Sequence, residues 1–530
     1  MNESTNRTLI AMMLIVLVFL GFNYLMPKKP APVPQPQPAA TAQAVTPAIT
    51  TVSPSAAPAA APALSVKQQP VIPVKLVTLS GKGFEAVFSS QGATLASYTL
   101  RQYKGVDKQP VQLIPADGRA LDCGLTIAGK PVDLLPVVFA VTEQSERSVT
   151  FSAALAGGVT VSKRFTALPD QPGFDLAVGL QAPENAGLGS TYSVSWGCGL
   201  NSTEKDLKLD QREFAALALA GKEYAVFKLD KLRKMDEDTI TNGDIEFAGV
   251  RTKYFAALIV PPAGASVAER HTITPGTDHI VSPLVLKTDR TASQDFKVYI
   301  GPIAHTMLKA VHPDLERVAD TGYRWIQPIS RGILWLLLAL HTAVANYGLV
   351  IIIFSVLMKL VFFPLTYQGL KSMRHMQQIQ PMLKKIQDQW KNDPGRTNQE
   401  TMALYKKHGV NPFAGCLPFL IQMPIFFALY SVLANTIELR QANFAFWITD
   451  LAVKDPYYVL CVLMGIAMFF QQRMNPVDPK MKAMTYMMPA MMVFIFSNLP
   501  AGLNLYWLVN NILSIGEQYV IQTRVKPLAD

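Results

Sequence analysis

The sequence predicts a polytopic α-helical membrane protein that carries one large β-sandwich domain outside the bilayer. Three observations predict it. Long apolar blocks stand near both ends of the 530-residue chain, at residues 9–26 and again beyond residue 330. Between them, residues 71–300 run in short stretches such as KLVTLS, GFEAVFSS, ATLASYTL and DFKVYIGP. Their period-two alternation and their Val, Thr, Tyr and Phe content mark half-buried strands. Hydrophobic residues make up 50% of the chain against 16% charged, a balance set by the two end blocks.

In chain order, residues 9–26 (LIAMMLIVLVFLGFNYLM) follow Arg7 and look like a signal-peptide core. Asn23, Tyr24 and Pro27 stand where a small-residue cleavage site would be, so residues 1–26 are read as an uncleaved transmembrane signal anchor. Residues 27–70 hold 11 prolines among Ala, Thr, Gln and Val. Such a segment cannot build a core and favours polyproline II or coil, which makes it a tether. Residues 71–320 are read as the β-sandwich domain. It includes a charged excursion over 203–246, taken as short helices or a solvated face, and a connecting helix over 303–320. Residues 325–345 are apolar on most sides, yet Arg331 flanks them and His341 interrupts them. An amphipathic interfacial helix fits better there than a crossing.

Residues 346–367 (NYGLVIIIFSVLMKLVFFPLTY) form the second transmembrane helix, a run of roughly 30 Å when helical. Residues 368–415 are the most basic connection. Lys371, Arg374, Lys384, Lys385, Lys391, Arg396, Lys406 and Lys407 face only Asp388, Asp393 and Glu400, which puts this loop in the cytoplasm. Met373, Met376, Leu383, Ile386 and Trp390 recur at helical spacing, bent or begun afresh around Pro381. KNDPGR reads as a turn, and residues 397–408 make a second helix. The product is a basic helical hairpin. Further spans follow at 416–436, 457–472, 484–499 and 503–521. An outside loop lies at 437–456, a cytoplasmic loop at 473–483 and a short cytoplasmic tail at 522–530. Spans of about 16 residues are short for a bilayer and call for thinning or distorted ends. The charge count gives six spans, both termini inside, and residues 27 to about 345 outside.

The formal net charge of +10 sits beside these spans, so anionic lipid and topology selection explain it better than nucleic acid. Cys123 and Cys198 lie in the β domain, and two separate buried thiols are preferred there over a disulfide. The seven histidines have no metal-ligand spacing. No GxSxG, HExxH or P-loop pattern occurs, so neither enzyme chemistry nor a cofactor is expected.

Lys359 is the one formal charge between Gly332 and Gly369. An ionisable group inside a span costs about 2.5–3.5 kcal/mol on insertion scales. The lysine must therefore snorkel, pair or face a wet cavity, and it has no acidic partner within its own span. The last span carries Asn504, Asn510, Asn511, Glu517 and Gln518, and the third carries Gln422 between Pro418 and Pro424. Short spans bearing amides favour a polar intramembrane site over simple snorkelling at the interface.

The segments NYGLVIIIFSVLMKLVFFPLT, SMRHMQQIQPMLKKIQ, LYKKHGVNPFAGCLPFLIQMPIFFALY and MPAMMVFIFSNLPAGLNLYW carry a resemblance. Over residues 325–521 the chain resembles the YidC/Oxa/Alb family of membrane protein insertases, in its long Gram-negative form. The resemblance implies an inner-membrane protein with a five-helix core and a periplasmic β-supersandwich domain. It also implies a hydrophilic groove open to cytoplasm and lipid, which receives nascent membrane proteins alone or with the Sec translocon. It puts the groove's positive charge, commonly arginine, at Lys359, with Ser355 one turn before it. Gln422 falls at a groove-lining position. Trp507 stands where a substrate-contacting tyrosine is usual, and Asn510 joins them as a candidate contact. The short tail leaves the basic hairpin, with Lys371, Arg374, Lys384, Lys385, Lys406 and Lys407, as the candidate ribosome contact. Anionic lipids are expected partners, and a monomer is the expected active unit. The rival readings are a secondary transporter, which would need paired repeats or a through-path, and an envelope scaffold acting through the β domain.

Overall fold

The computed structural model describes residues 73–233, 239–242, 244–264, 266–273, 280–287, 293–319, 325–409, 417–474 and 482–524. The anchor expected over 1–26, the tether over 27–70, Cys416, and the tail from residue 525 lie outside the described residues.

Residues 76–302 fold into antiparallel β-structure. A four-stranded sheet spans Leu76–Gln112. A nine-stranded sheet runs in spatial order through Glu223–Lys228, Ala215–Ala220, Ile245–Arg251, Phe255–Val260, Ser293–Pro302, Gly173–Gln181, Thr160–Ala167, Ser148–Ala154 and Ala140–Gln144. A six-stranded sheet runs through Thr239–Asn242, Ser266–Ile273, Ile280–Lys287, Leu188–Trp196, Asp122–Ile127 and Lys130–Asp133. The alternation that predicts the strands is the alternation that buries them. In Thr160–Ala167, for example, Val161, Lys163, Phe165 and Ala167 are buried while the residues between them are partly or fully open. Phe88, Phe165 and Phe174 meet at 4.3–5.8 Å between ring centroids in the main core.

The expected excursion over 203–246 is more ordered than its charge suggests. It contains the short helices Leu207–Gln211 and Leu229–Leu232, but also the strand Ala215–Ala220 inside the nine-stranded sheet. That strand, AALALA, is apolar on both faces. Ala216 faces the main core. Ala215, Leu217 and Leu219 face a second core built with Ile303, Leu308, Val311, Leu315 and Val318. The helix His305–Val311 and the 3₁₀ turn Pro313–Ala319 therefore cover the outer face of the sheet as well as leading out of the domain.

The C-terminal part is helical: α1 (Gln327–Ala343), α2 (Tyr347–Gln389), α3 (Pro394–Lys407), α4 (Leu417–Asn435), α5 (Val459–Arg473), α6 (Lys482–Phe496) and α7 (Ala501–Arg524). α2 begins where Asn346 Oδ1 accepts from the amides of Gly348 and Leu349 at 2.9 and 3.2 Å, an N-cap. Gly348 is needed there, because a Cβ would run into the Phe444 ring. α2 runs without a break through Pro364 and Pro381, so the expected second span and the first arm of the hairpin are one helix of 43 residues. By length and composition α2 is the helix among the described residues that could cross a bilayer by itself, while Val459–Arg473 and Tyr486–Phe496 are shorter apolar helices. α7 packs on α2 and α5, and α1 packs on α4. Trp325, just before α1, and Trp335, within it, stay exposed.

The two parts are joined by more than the chain. Ile437, just beyond α4, is buried in the main β core. Arg440 is buried: its Nε donates to Glu204 Oε1 at 2.7 Å, Nη2 donates to the Thr203 carbonyl at 3.1 Å, and the guanidinium lies over the rings of Tyr254 and Phe255. Tyr254 Oη donates to the Ala434 carbonyl at 3.2 Å. The C-terminal end of α4 is thereby seated on the β domain.

Candidate functional site

The polar groups of the helical part gather between α2, α4 and α7. α7 repeats polar side chains at Asn510, Ser514 and Glu517. This spacing of four and three puts them on one face of the helix. Lys359 reaches that face from α2. Its Nζ donates to Ser514 Oγ at 2.7 Å and to Glu517 Oε2 at 2.9 Å. Ser514 Oγ donates onward to the Asn510 carbonyl at 2.8 Å. The side chains of Lys359 and Glu517 are 16% and 15% exposed, so the pair is shielded but still reachable.

Gln422 approaches from α4 and donates from Nε2 to Tyr506 Oη at 2.5 Å. Tyr506 is buried, with its ring 6.0 Å from that of Phe354. Trp507 beside it packs on Phe426 and Phe496, each at 5.4 Å between centroids. Here the phenol sits at Tyr506 and the indole belongs to an aromatic wall shared by α4, α6 and α7. Ser355 is buried, and its hydroxyl donates to the Ile351 carbonyl at 2.7 Å. It is spent within its own helix. The structure thus brings Lys359 to the Asn510 face and Gln422 to Tyr506, and turns Ser355 inward.

Sequence reasoning missed two partners. The sequence places Glu517 in the last expected span but does not match it to Lys359, and it does not single out Ser514. The helical stripe 510–514–517 and the rule that intramembrane charges pair would have pointed to both. Nearby on α7, Asn511 and Gln518 are buried. Asn511 Nδ2 and Gln518 Oε1 have no hydrogen-bond partner among the described residues.

On the extension of α2, Arg374 Nη1 donates to the Ile521 carbonyl at 2.8 Å and ties the hairpin to the last turns of α7. Lys371, Lys384, Lys385, Lys406 and Lys407 are exposed. The imidazole of His375 is pushed down by burial and then by the charges of Lys371 and Arg374. Arg396 stacks on Trp390 at 4.2 Å and holds the turn of the hairpin.

The β domain holds a second buried lysine. Lys163 is fully buried and donates to the carbonyls of Gly92, Ala93 and Leu121 at 3.0, 3.1 and 2.8 Å. All three acceptor residues have positive φ, 68°, 47° and 62°, so the ammonium gathers carbonyls from left-handed turns, two of them at non-glycine residues. Beside it, burial pushes the Asp122 carboxyl up to about 6, against the opposing pull of the Lys163 charge. Cys123 and Cys198 are buried free thiols, and burial pushes Cys198 up to about 12. Among the described residues no group of His, Cys, Asp and Glu could hold a metal ion.

Comparison with known proteins gives the following similarities. Residues 76–336 match the family described as YidC periplasmic domain, and residues 339–527 match the family described as 60Kd inner membrane protein. A relative named membrane protein insertase YidC from Syntrophus aciditrophicus (strain SB) is 32% identical over 468 residues, covering 84% of each chain. One of the same name from Geobacter metallireducens is 33% identical over 543 residues, covering 98% of each. Among solved structures, an active YidC insertase crystal structure with the first transmembrane domain resolved aligns over 84% of this chain and 94% of that one. Its identity is 18% and its TM-score 0.38.

Proposed function

From the premise that the chain belongs to the YidC family of membrane protein insertases, we propose how its residues carry out insertion. The chain is an inner-membrane insertase with a periplasmic domain, it is not an enzyme, and its substrates are nascent membrane proteins. The proposal concerns the site. Lys359, Gln422, Trp507 and Asn510 line a groove in which the polar part of an incoming segment is held while its apolar span leaves to lipid. Holding polar groups among polar side chains lowers their desolvation cost. Release of the apolar span into hydrocarbon, with the membrane potential acting on translocated charge, completes the transfer. Lys359 attracts acidic residues of the segment without forming a covalent bond.

The observation that carries this reading is a shielded lysine whose partners are side chains on a facing helix, at 2.7 and 2.9 Å. Side-chain partners can be exchanged. In this reading the chain crosses the inner membrane six times with both termini in the cytoplasm and a β-supersandwich in the periplasm. It works as a monomer, alone or with the Sec translocon. The exposed lysines of the α2–α3 hairpin meet the ribosome and anionic headgroups.

The test is photocrosslinking from positions 422 and 507 during translation of a short single-span membrane protein, with liposomes holding only this chain. Crosslinks together with protease-protected product are expected. K359R retains insertion and K359E loses it. Normal insertion by K359E would end the electrostatic reading.

A further inference from the structure

Lys359 is not waiting empty. Its ammonium already has a carboxylate, Glu517, at 2.9 Å, and a hydroxyl, Ser514, at 2.7 Å. An ammonium has three N–H donors, and these two partners among the described residues take two of them. Both belong to α7, which is 155 and 158 residues away in sequence. The pair therefore exists only through the packing of α2 on α7. Its partial exposure leaves a path by which another anion can reach the ammonium.

A carboxylate arriving in an incoming segment meets a site that already holds the same chemical group. Exchange of one carboxylate for another keeps Lys359 paired, and the displaced Glu517 is left to find water. A neutral polar group offers no such exchange, because it would leave an uncompensated charge on both Lys359 and Glu517, which is strongly unfavourable in a shielded site.

We propose that Glu517 is an internal stand-in for the substrate's carboxylate: it closes the site on Lys359 at rest, and its displacement sets how strongly acidic segments are preferred. This rests on the reading of Lys359 as the groove charge and deepens it. Glu517 is a specificity-determining residue that acts through Lys359. Its strength as a competitor keeps the site from binding acidic segments too tightly to release.

The experiment uses the full chain in liposomes and two single-span test proteins. They are identical except that the N-terminal tail carries two aspartates or two asparagines. Photocrosslinking from position 507 gives the ratio of acidic-tail to neutral-tail adduct. With E517Q the competitor is gone, and the ratio is expected to rise at least fivefold. The charge swap K359E/E517K rebuilds the pair with reversed sense, and with a third test protein carrying two lysines the preference is expected to turn from acidic to basic tails. An unchanged ratio in E517Q, or a swap that still prefers aspartates, overturns the role of Glu517. If those results come while K359E blocks the acidic tail, the groove reading survives and only this inference falls. If K359E inserts the acidic tail normally, the groove reading itself falls.

Discussion

Lys163 and Lys359 are both lysines taken out of water, and they are held in opposite ways. Lys163 is fully buried in the β domain and clasped by three backbone carbonyls, those of Gly92, Ala93 and Leu121. Lys359 is partly open and clasped by two side chains, Ser514 and Glu517, on another helix. Backbone carbonyls cannot leave without unfolding the turns that present them. A serine and a glutamate can rotate away and return. The first arrangement fixes structure and the second permits exchange, although each satisfies its ammonium in a poorly solvated place.

The largest effect that would break this contrast is expected at Lys163. K163M leaves three buried carbonyls without a donor, and the β domain should lose about 3–5 kcal/mol of stability. Hydrogen exchange read across strand Thr160–Ala167 and the turns at 92–93 and 121 would show it, and unchanged protection there would make Lys163 a bystander.

A pH effect of intermediate size is expected from its neighbour. The folded-state carboxyl of Asp122 is raised to about 6 from an ordinary value near 3.8. The native state therefore binds a proton that the unfolded chain has already given up, and stability falls as pH rises from about 4 to about 6. Thermal unfolding across that window should show the slope, and D122N should flatten it. A slope that persists in D122N would assign it to another group.

The smallest effect is expected at the exchangeable pair. K359M alone strands Glu517, whereas K359M/E517Q removes both charges and should lie within about 1 kcal/mol of the parent. No comparable rescue exists for K163M, whose partners are main chain. If the double variant were as unstable as K163M, the distinction between a structural and an exchangeable lysine would collapse.

Much of the architecture was legible because hydrophobic period is a local property. The alternation in Thr160–Ala167 and the long apolar run after Asn346 each declare their element without reference to the rest of the chain. Ala215–Ala220 was not legible. Alanine and leucine favour helix by intrinsic propensity, and the six residues are strand only because the main core and the 303–318 layer bury both faces. The candidate site divides in the same way. Lys359 stood out by its cost within an apolar span, and Gln422 and Asn510 by their polarity there. The inward turn of Ser355, the Gln422–Tyr506 hydrogen bond and the tie from Arg374 to the end of α7 depend on how helices are rotated and how close they pack.

By itself, then, the sequence determined that one cation must be accommodated among the C-terminal helices and that a β-rich unit precedes them, because burial costs and periods are carried by neighbouring residues. Only the tertiary structure decided which group answers that cation. Glu517 lies 158 positions from Lys359, and nothing local to either residue fixes the rotation of α7 that brings them to 2.9 Å. Packing of α7 against α2 and α5 sets that rotation, and the same packing turns two isolated charges into one openable pair.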